Sequence, residues 1–189
     1  MRGPILASLI LLGPCGPATA DIVTFRDAER SIAFSYDDKL WQQPDQTDPR
    51  MLIRIERRLL DGKPTAICQL RALKSAYASA IEGHVHEERE QIVSRLVNSI
   101  NRPDLEVVSS TSSTITVGSQ PMIELRHLIK DRSINWPFGG TFIMLYTVRA
   151  GEEIMLQCDH VGAFERPPEK AGYAESEMRA VMKTLRFDE

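Results

Sequence analysis

The chain has 189 residues and a formal net charge of −3, with 42% hydrophobic and 26% charged residues. That length suits one domain around one core. The acidic balance argues against phosphate-backbone recognition, so no nucleic-acid partner is expected. The chain carries no G-x-S-x-G, H-E-x-x-H or glycine-rich phosphate loop, and nothing in it calls for a cofactor.

The first twenty residues, MRGPILASLILLGPCGPATA, carry one charge, Arg2, and an apolar run from Ile5 to Leu12. They close on Ala18-Thr19-Ala20 before Asp21. That layout predicts a secretory signal peptide over residues 1–20. The apolar run is far shorter than the roughly 20 residues a spanning helix needs. Pro14 before Cys15 argues against lipidation, and no arginine pair marks a twin-arginine signal. The expected mature chain is residues 21–189, periplasmic or secreted, with no membrane span. Its loss of Cys15 leaves Cys68 and Cys158. Two cysteines in an oxidising compartment pair, so a Cys68–Cys158 disulfide is expected.

The mature chain opens with two short β-type runs, DIVTF and SIAFSY. MLIRIERRL then alternates, with Met51, Ile53 and Ile55 on one face and Arg54, Glu56 and Arg58 on the other. TAICQLRAL follows, with Cys68 between Ala66 and Leu70 at the two-residue spacing of an inward strand face. From Val85 the period changes. Val85, Ile92, Val93, Leu96, Val97 and Ile100 sit at helical spacing, and Pro103 ends the helix.

Strands resume with LEVVSS and STITVGS, rich in β-branched residues. PMIELRHLIKD alternates, placing Ile123, Leu125, His127 and Ile129 together. TFIMLYTVRA is apolar on both faces and predicts a central, covered strand. Gly151 in RAGEE marks a hairpin into IMLQCDH, and Tyr173 to Leu185 returns to helical spacing behind Pro167-Pro168. The predicted fold class is α+β: an antiparallel sheet with two packed helices, sandwich-like, in one domain over 21–189.

SIAFSYDDKLWQQ, VGSQPMIELRH and MRAVMKTLRF resemble the opening, the mid-chain turn and the closing helix with short final strand of PsbP-like domains. The proline that usually precedes the tryptophan is missing before Trp41. The resemblance implies an antiparallel sheet flanked by helices. It also implies an accessory or binding role, as in extrinsic photosystem subunits and bacterial envelope proteins.

Several groups are candidates for chemistry. Cys158 and His160 share a strand face and would serve a thiol nucleophile with its base, although no orienting third group is identifiable. HVHEERE offers His86 with Glu90 and His84 with Glu88 at i,i+4, only two ligands each, so no metal site is expected. His127 lies on the apolar side of its strand. SINWPFGGTF places Trp136 and Phe138 around a proline, and such rings on a connection make a candidate binding loop. Two readings follow. One is an exported, non-catalytic accessory or binding protein of the bacterial cell envelope, with a protein or small molecule as partner. The alternative is a secreted thiol-dependent hydrolase using Cys158 and His160.

Overall fold

The computed structural model describes residues 21–46, 48–58, 64–100, 105–131, 140–160 and 168–188. The elements in chain order are β1 (Ile22–Asp27), β2 (Ile32–Asp37), β3 (Met51–Arg58), β4 (Pro64–Lys74), α1 (Ala76–Ile81), α2 (Arg89–Ile100), β5 (Leu105–Val117), β6 (Gln120–Asp131), β7 (Gly140–Arg149), β8 (Glu152–His160), α3 (Pro168–Met182) and β9 (Arg186–Phe187). Six strands form one antiparallel sheet in the order β3-β4-β8-β7-β6-β5, and β1-β2-β9 form a second, smaller one.

The strand period of two splits the large sheet into two faces. One face carries Ile53, Ile55, Leu70, Leu145 and Leu156, which pack with Phe34 and Trp41 and with Met178 and Val181 of α3. The other carries Ile123, Leu125, Met144 and Tyr146, which pack under Ala78 and Ile81 of α1 and Ile92 and Leu96 of α2. β7 lies between these layers and is buried from Gly140 to Val148, the covered strand its two apolar faces predict.

The α+β class and the helix-flanked antiparallel sheet stand as expected, with additions. The β1-β2-β9 sheet lies beside α3 in the outer layer, where Ser35 N–H donates to Thr184 Oγ1 at 2.7 Å. α1 is a helix the hydrophobic spacing misses: it is six residues long and buries only Ala78 and Ile81. Its start is set by Ser75, whose Oγ accepts from Ala78 N–H at 3.0 Å. α2 begins at Arg89 rather than Val85. Val85 is buried, but residues 85–88 are turns. LEVVSS and STITVGS are one 13-residue strand, β5, bulged between Val107 and Ser109. β5 forms one border of the sheet, and no strand among the described residues pairs with its outer side.

The β7–β8 connection is tighter than a five-residue loop. Arg149 pairs with Glu152, leaving Ala150 and Gly151 as the whole turn, at φ 53° and 69°. Both positions need the left-handed region, as two-residue hairpin turns of this hand do. Glu82 holds the turn, accepting from the Ala150 and Gly151 N–H groups at 2.6 and 2.9 Å. A Cβ on Gly151 would stand 3.0 Å from Ser79 Oγ, so no larger residue fits without a shift.

Candidate functional site

The site is set by the register of β4 on β8. Cys68 and Cys158 are Cα partners, and they form a disulfide with their Cα atoms 4.1 Å apart. Both side chains lie on the α3 face, among Leu70, Ile143 and Leu156. The next pair along, Gln69 and Gln157, is therefore on the opposite face. Two residues further along each strand stand Arg71 and Asp159. The strands run in opposite directions, so Arg71 and Asp159 lie on opposite sides of the glutamine pair.

Each glutamine is bonded to the charged residue of its own strand. Arg71 Nη2 donates to Gln69 Oε1 at 3.1 Å, and Gln157 Nε2 donates to Asp159 Oδ2 at 2.8 Å. Arg71 and Asp159 make no ion pair among the described residues, and the buried Arg71 Nε and Asp159 Oδ1 have no partner there. These groups line a cleft of about 580 Å³ between the sheet and the end of α2. Its apolar lining comes from Leu96 and Ile100 of α2, Phe142 and Met144 of β7, and Met155 of β8. Burial pushes the Asp159 carboxyl up to about 6, against the Gln157 hydrogen bond and the positive Arg71 and Arg54, which lower it.

The wall under α2 is a charge cluster of another kind, in which the carboxylate and the guanidinium are paired with each other. Glu153 is 3% exposed. It accepts from Ser75 Oγ at 2.8 Å, from Tyr146 Oη at 3.1 Å and from Arg95. The Arg95 guanidinium also lies 4.3 Å from the Tyr77 ring centroid. Burial and the neighbouring Glu153 hold the Tyr146 hydroxyl well above its ordinary range. This cluster ties the start of α1 and the middle of α2 to the sheet, and it fixes the cleft's height.

The candidate groups fall in separate places. Cys158 is spent on the bridge, which leaves the thiol-nucleophile reading without its thiol. His160 shares the face of Cys158, as the spacing predicts, and is buried at the end of β8. His127 lies on the other face, fully buried, with its ring 5.5 Å from Phe142. Neither ring nitrogen has a hydrogen-bond partner among the described residues, and burial lowers its pKa, which favours the neutral ring. His86 is not on a helix with Glu90. Its Nε2 lies 3.2 Å from the carbonyl oxygens of both Ile115 and Met122, which docks the turn before α2 onto the β5–β6 hairpin. His84 is exposed in that turn, and no group of three metal-ligating side chains occurs among the described residues. Trp136 and Phe138 lie outside the described residues, as do residues 1–20.

Sequence patterning does not mark Gln69, Arg71, Gln157 and Asp159 as a site, because polar residues alternating with apolar ones read as an ordinary solvent face. A signal was there. Q-x-R on one strand and Q-x-D on the other each follow a cysteine or flank one. A Cys68–Cys158 pairing between antiparallel neighbours puts the two glutamines opposite each other.

No family model matches the chain, and no characterised protein matches it by sequence. Among solved structures it is similar to the solution structure of cyanobacterial PsbP (CyanoP) from Synechocystis sp. PCC 6803. The TM-score is 0.53 at 14% identity, over 94% of this chain and 99% of that one. A crystal structure from Bacteroides thetaiotaomicron VPI-5482 matches with a TM-score of 0.48 at 11% identity, over 88% of this chain and 48% of the other. The chain has a PsbP-like fold.

Proposed function

We propose that the chain is an exported, non-catalytic accessory protein of the bacterial cell envelope that binds its partner at the cleft between β4, β8 and α2. The observation that carries this reading is the pair of uncommitted groups there. A guanidinium and a carboxyl, each without an ion-pair partner among the described residues, share one partly apolar cleft. Leaving such groups unpaired costs stability, and binding sites are where that cost recurs. The signal-like residues 1–20 and the disulfide support export. Among the described residues no helix is long and apolar enough to cross a membrane.

The non-catalytic reading rests on what the nucleophile candidates are doing. Cys158 is bonded, and Ser99 Oγ at the cleft rim donates to the Leu96 carbonyl at 2.7 Å. The PsbP-like fold favours an accessory role by analogy only. The segment 132–139 with Trp136 and Phe138 runs between β6 and β7, whose Ile129 and Phe142 line the cleft, and we place these two rings in the same binding function.

Two measurements test the proposal. Intact-mass analysis of fractionated cells should find a protein starting at Asp21 outside the cytoplasm; an unprocessed cytoplasmic pool would overturn export. Capture from envelope extract should weaken for Arg71→Gln and for the Trp136→Ser/Phe138→Ser double variant, with thermal unfolding of the double variant nearly unchanged. Equal capture by wild type and Arg71→Gln would remove the cleft from the function.

A further inference from the structure

The cleft carries more than an unpaired cation and an unpaired carboxyl: it carries them in a fixed order. Along the sheet the sequence is Arg71, then the Gln69–Gln157 pair, then Asp159. Arg71 is in register with Met155, four residues from Asp159 on β8. At about 3.4 Å per strand residue that is about 14 Å between backbone positions. Both charged side chains lean inward, since each is bonded to its own glutamine. A ligand that reaches both charges therefore spans no more than about four extended residues, the size of a short peptide.

The groups between the charges have their own selectivity. Gln69 spends its amide oxygen on Arg71, so its NH2 faces the cleft as a donor without a partner among the described residues. Gln157 spends its amide nitrogen on Asp159, so its oxygen remains an acceptor. One free donor and one free acceptor, side by side at a single register position, match the C=O and N–H of a peptide backbone. Phe142, Met144 and Met155 lie next to this row and supply an apolar surface for a side chain.

We propose that the cleft binds a short peptide with free termini, its α-carboxylate on Arg71, its α-ammonium on Asp159 and its backbone amide on Gln69 and Gln157. The inference rests on the binding reading above and gives it a ligand class. A single anion or a single amine would engage one end and leave the other partly buried charge without an ion-pair partner, which is the costlier arrangement. The preference for a zwitterion therefore comes from the protein's own uncommitted groups.

The test uses the full chain and three peptides: Ala-Leu-Ala with free termini, its N-acetylated form and its C-amidated form, titrated calorimetrically. The free peptide should bind saturably, and either block should weaken binding at least tenfold, the range charge-assisted hydrogen bonds command. Asp159→Asn should bind the free and acetylated forms alike, and Arg71→Gln should bind the free and amidated forms alike. Circular dichroism checks that the variants fold; where one does not, the three peptides on wild type decide alone. Absence of saturable binding, indifference to both blocks, or equal affinity for acetate or ethylamine alone would overturn the peptide reading. An envelope partner that Arg71→Gln fails to capture but excess Ala-Leu-Ala does not displace would leave the binding reading standing and remove the peptide.

Discussion

Cys68 and Cys158 face each other across β4 and β8 with Cα atoms 4.1 Å apart, and the bond between them fixes the register that sets Gln69 opposite Gln157 on the other face. A one-residue slip would send the glutamines to the α3 side and the cysteines into the cleft. The bridge thus holds the core together on one face and the site in order on the other.

Breaking that bond should show one loss in three variants. Cys68→Ala and Cys158→Ala should each cost about 2–4 kcal/mol, in the range for long closed loops. The double variant should cost little more than either, because the same bond is lost. Urea unfolding of protein refolded under oxidising conditions measures it, and thiol titration of the denatured, unreduced wild type should find no free sulfhydryl. Costs that add would mean the cysteines act separately.

Asp159 should make stability depend on pH in a direction uncommon for carboxylates. Its folded pKa is raised to about 6, above an unfolded value of about 4. Between those values the folded state holds a proton that the unfolded state has released. This group's contribution therefore falls as pH rises from about 4 to about 6, and is flat above. Asp159→Asn should be more stable than wild type by about 1–3 kcal/mol at pH 8 and indistinguishable from it at pH 4. A variant less stable at pH 8 would mean that the carboxylate is favourably solvated or paired.

His127 works in the opposite sense. Burial lowers its pKa, so on acidification the unfolded chain takes up a proton near pH 6.5 while the folded ring stays neutral. Stability from this group is present above about pH 6.5 and is lost as pH falls through that value. His127→Phe should remove the acid sensitivity and relieve two ring nitrogens that have no partner among the described residues, a gain of about 1–2 kcal/mol at neutral pH. In wild type the two windows overlap with opposite slopes, so the profiles are compared between the single variants.

The Arg95–Glu153 cluster should be costly to halve. Arg95→Met leaves the 3%-exposed Glu153 with only Ser75 and Tyr146 as donors among the described residues. A loss of about 2–3 kcal/mol is expected, at the low end for buried pairs because the arginine is partly exposed. Adding Glu153→Gln to Arg95→Met should recover part of it. Urea unfolding of the three variants decides whether Arg95 packs or pairs.

Much of the fold could be read from periodicity, and the failures have local causes. β7 announced its central place by being apolar on both faces, and the β6 alternation put His127 inside, where it lies. α1 escaped because one and a half turns offer too few apolar positions to show a 3.6 period, and only Ser75 marks it. Hydrophobic spacing puts the start of α2 too early because Val85 is buried from a turn, and burial imitates helical spacing. The disulfide followed from counting. The cleft did not, because Arg71 and Asp159 look like solvent-facing residues until the register shows that α2 and Phe142 enclose them.

The long border strand β5 has a consequence for the protein in concentrated solution. From Val107 to Val117 it contains no charge and no proline, and its side chains are mainly serine and threonine. Its outer backbone groups have no paired strand among the described residues, and Val108 at the bulge is 52% exposed. Such a border is a template for a further strand, which the bulge alone works against among the described residues. Heated or crowded material should therefore grow by edge-to-edge addition into thioflavin-positive assemblies, and one lysine in place of Ser113 should delay that growth without changing the melting temperature.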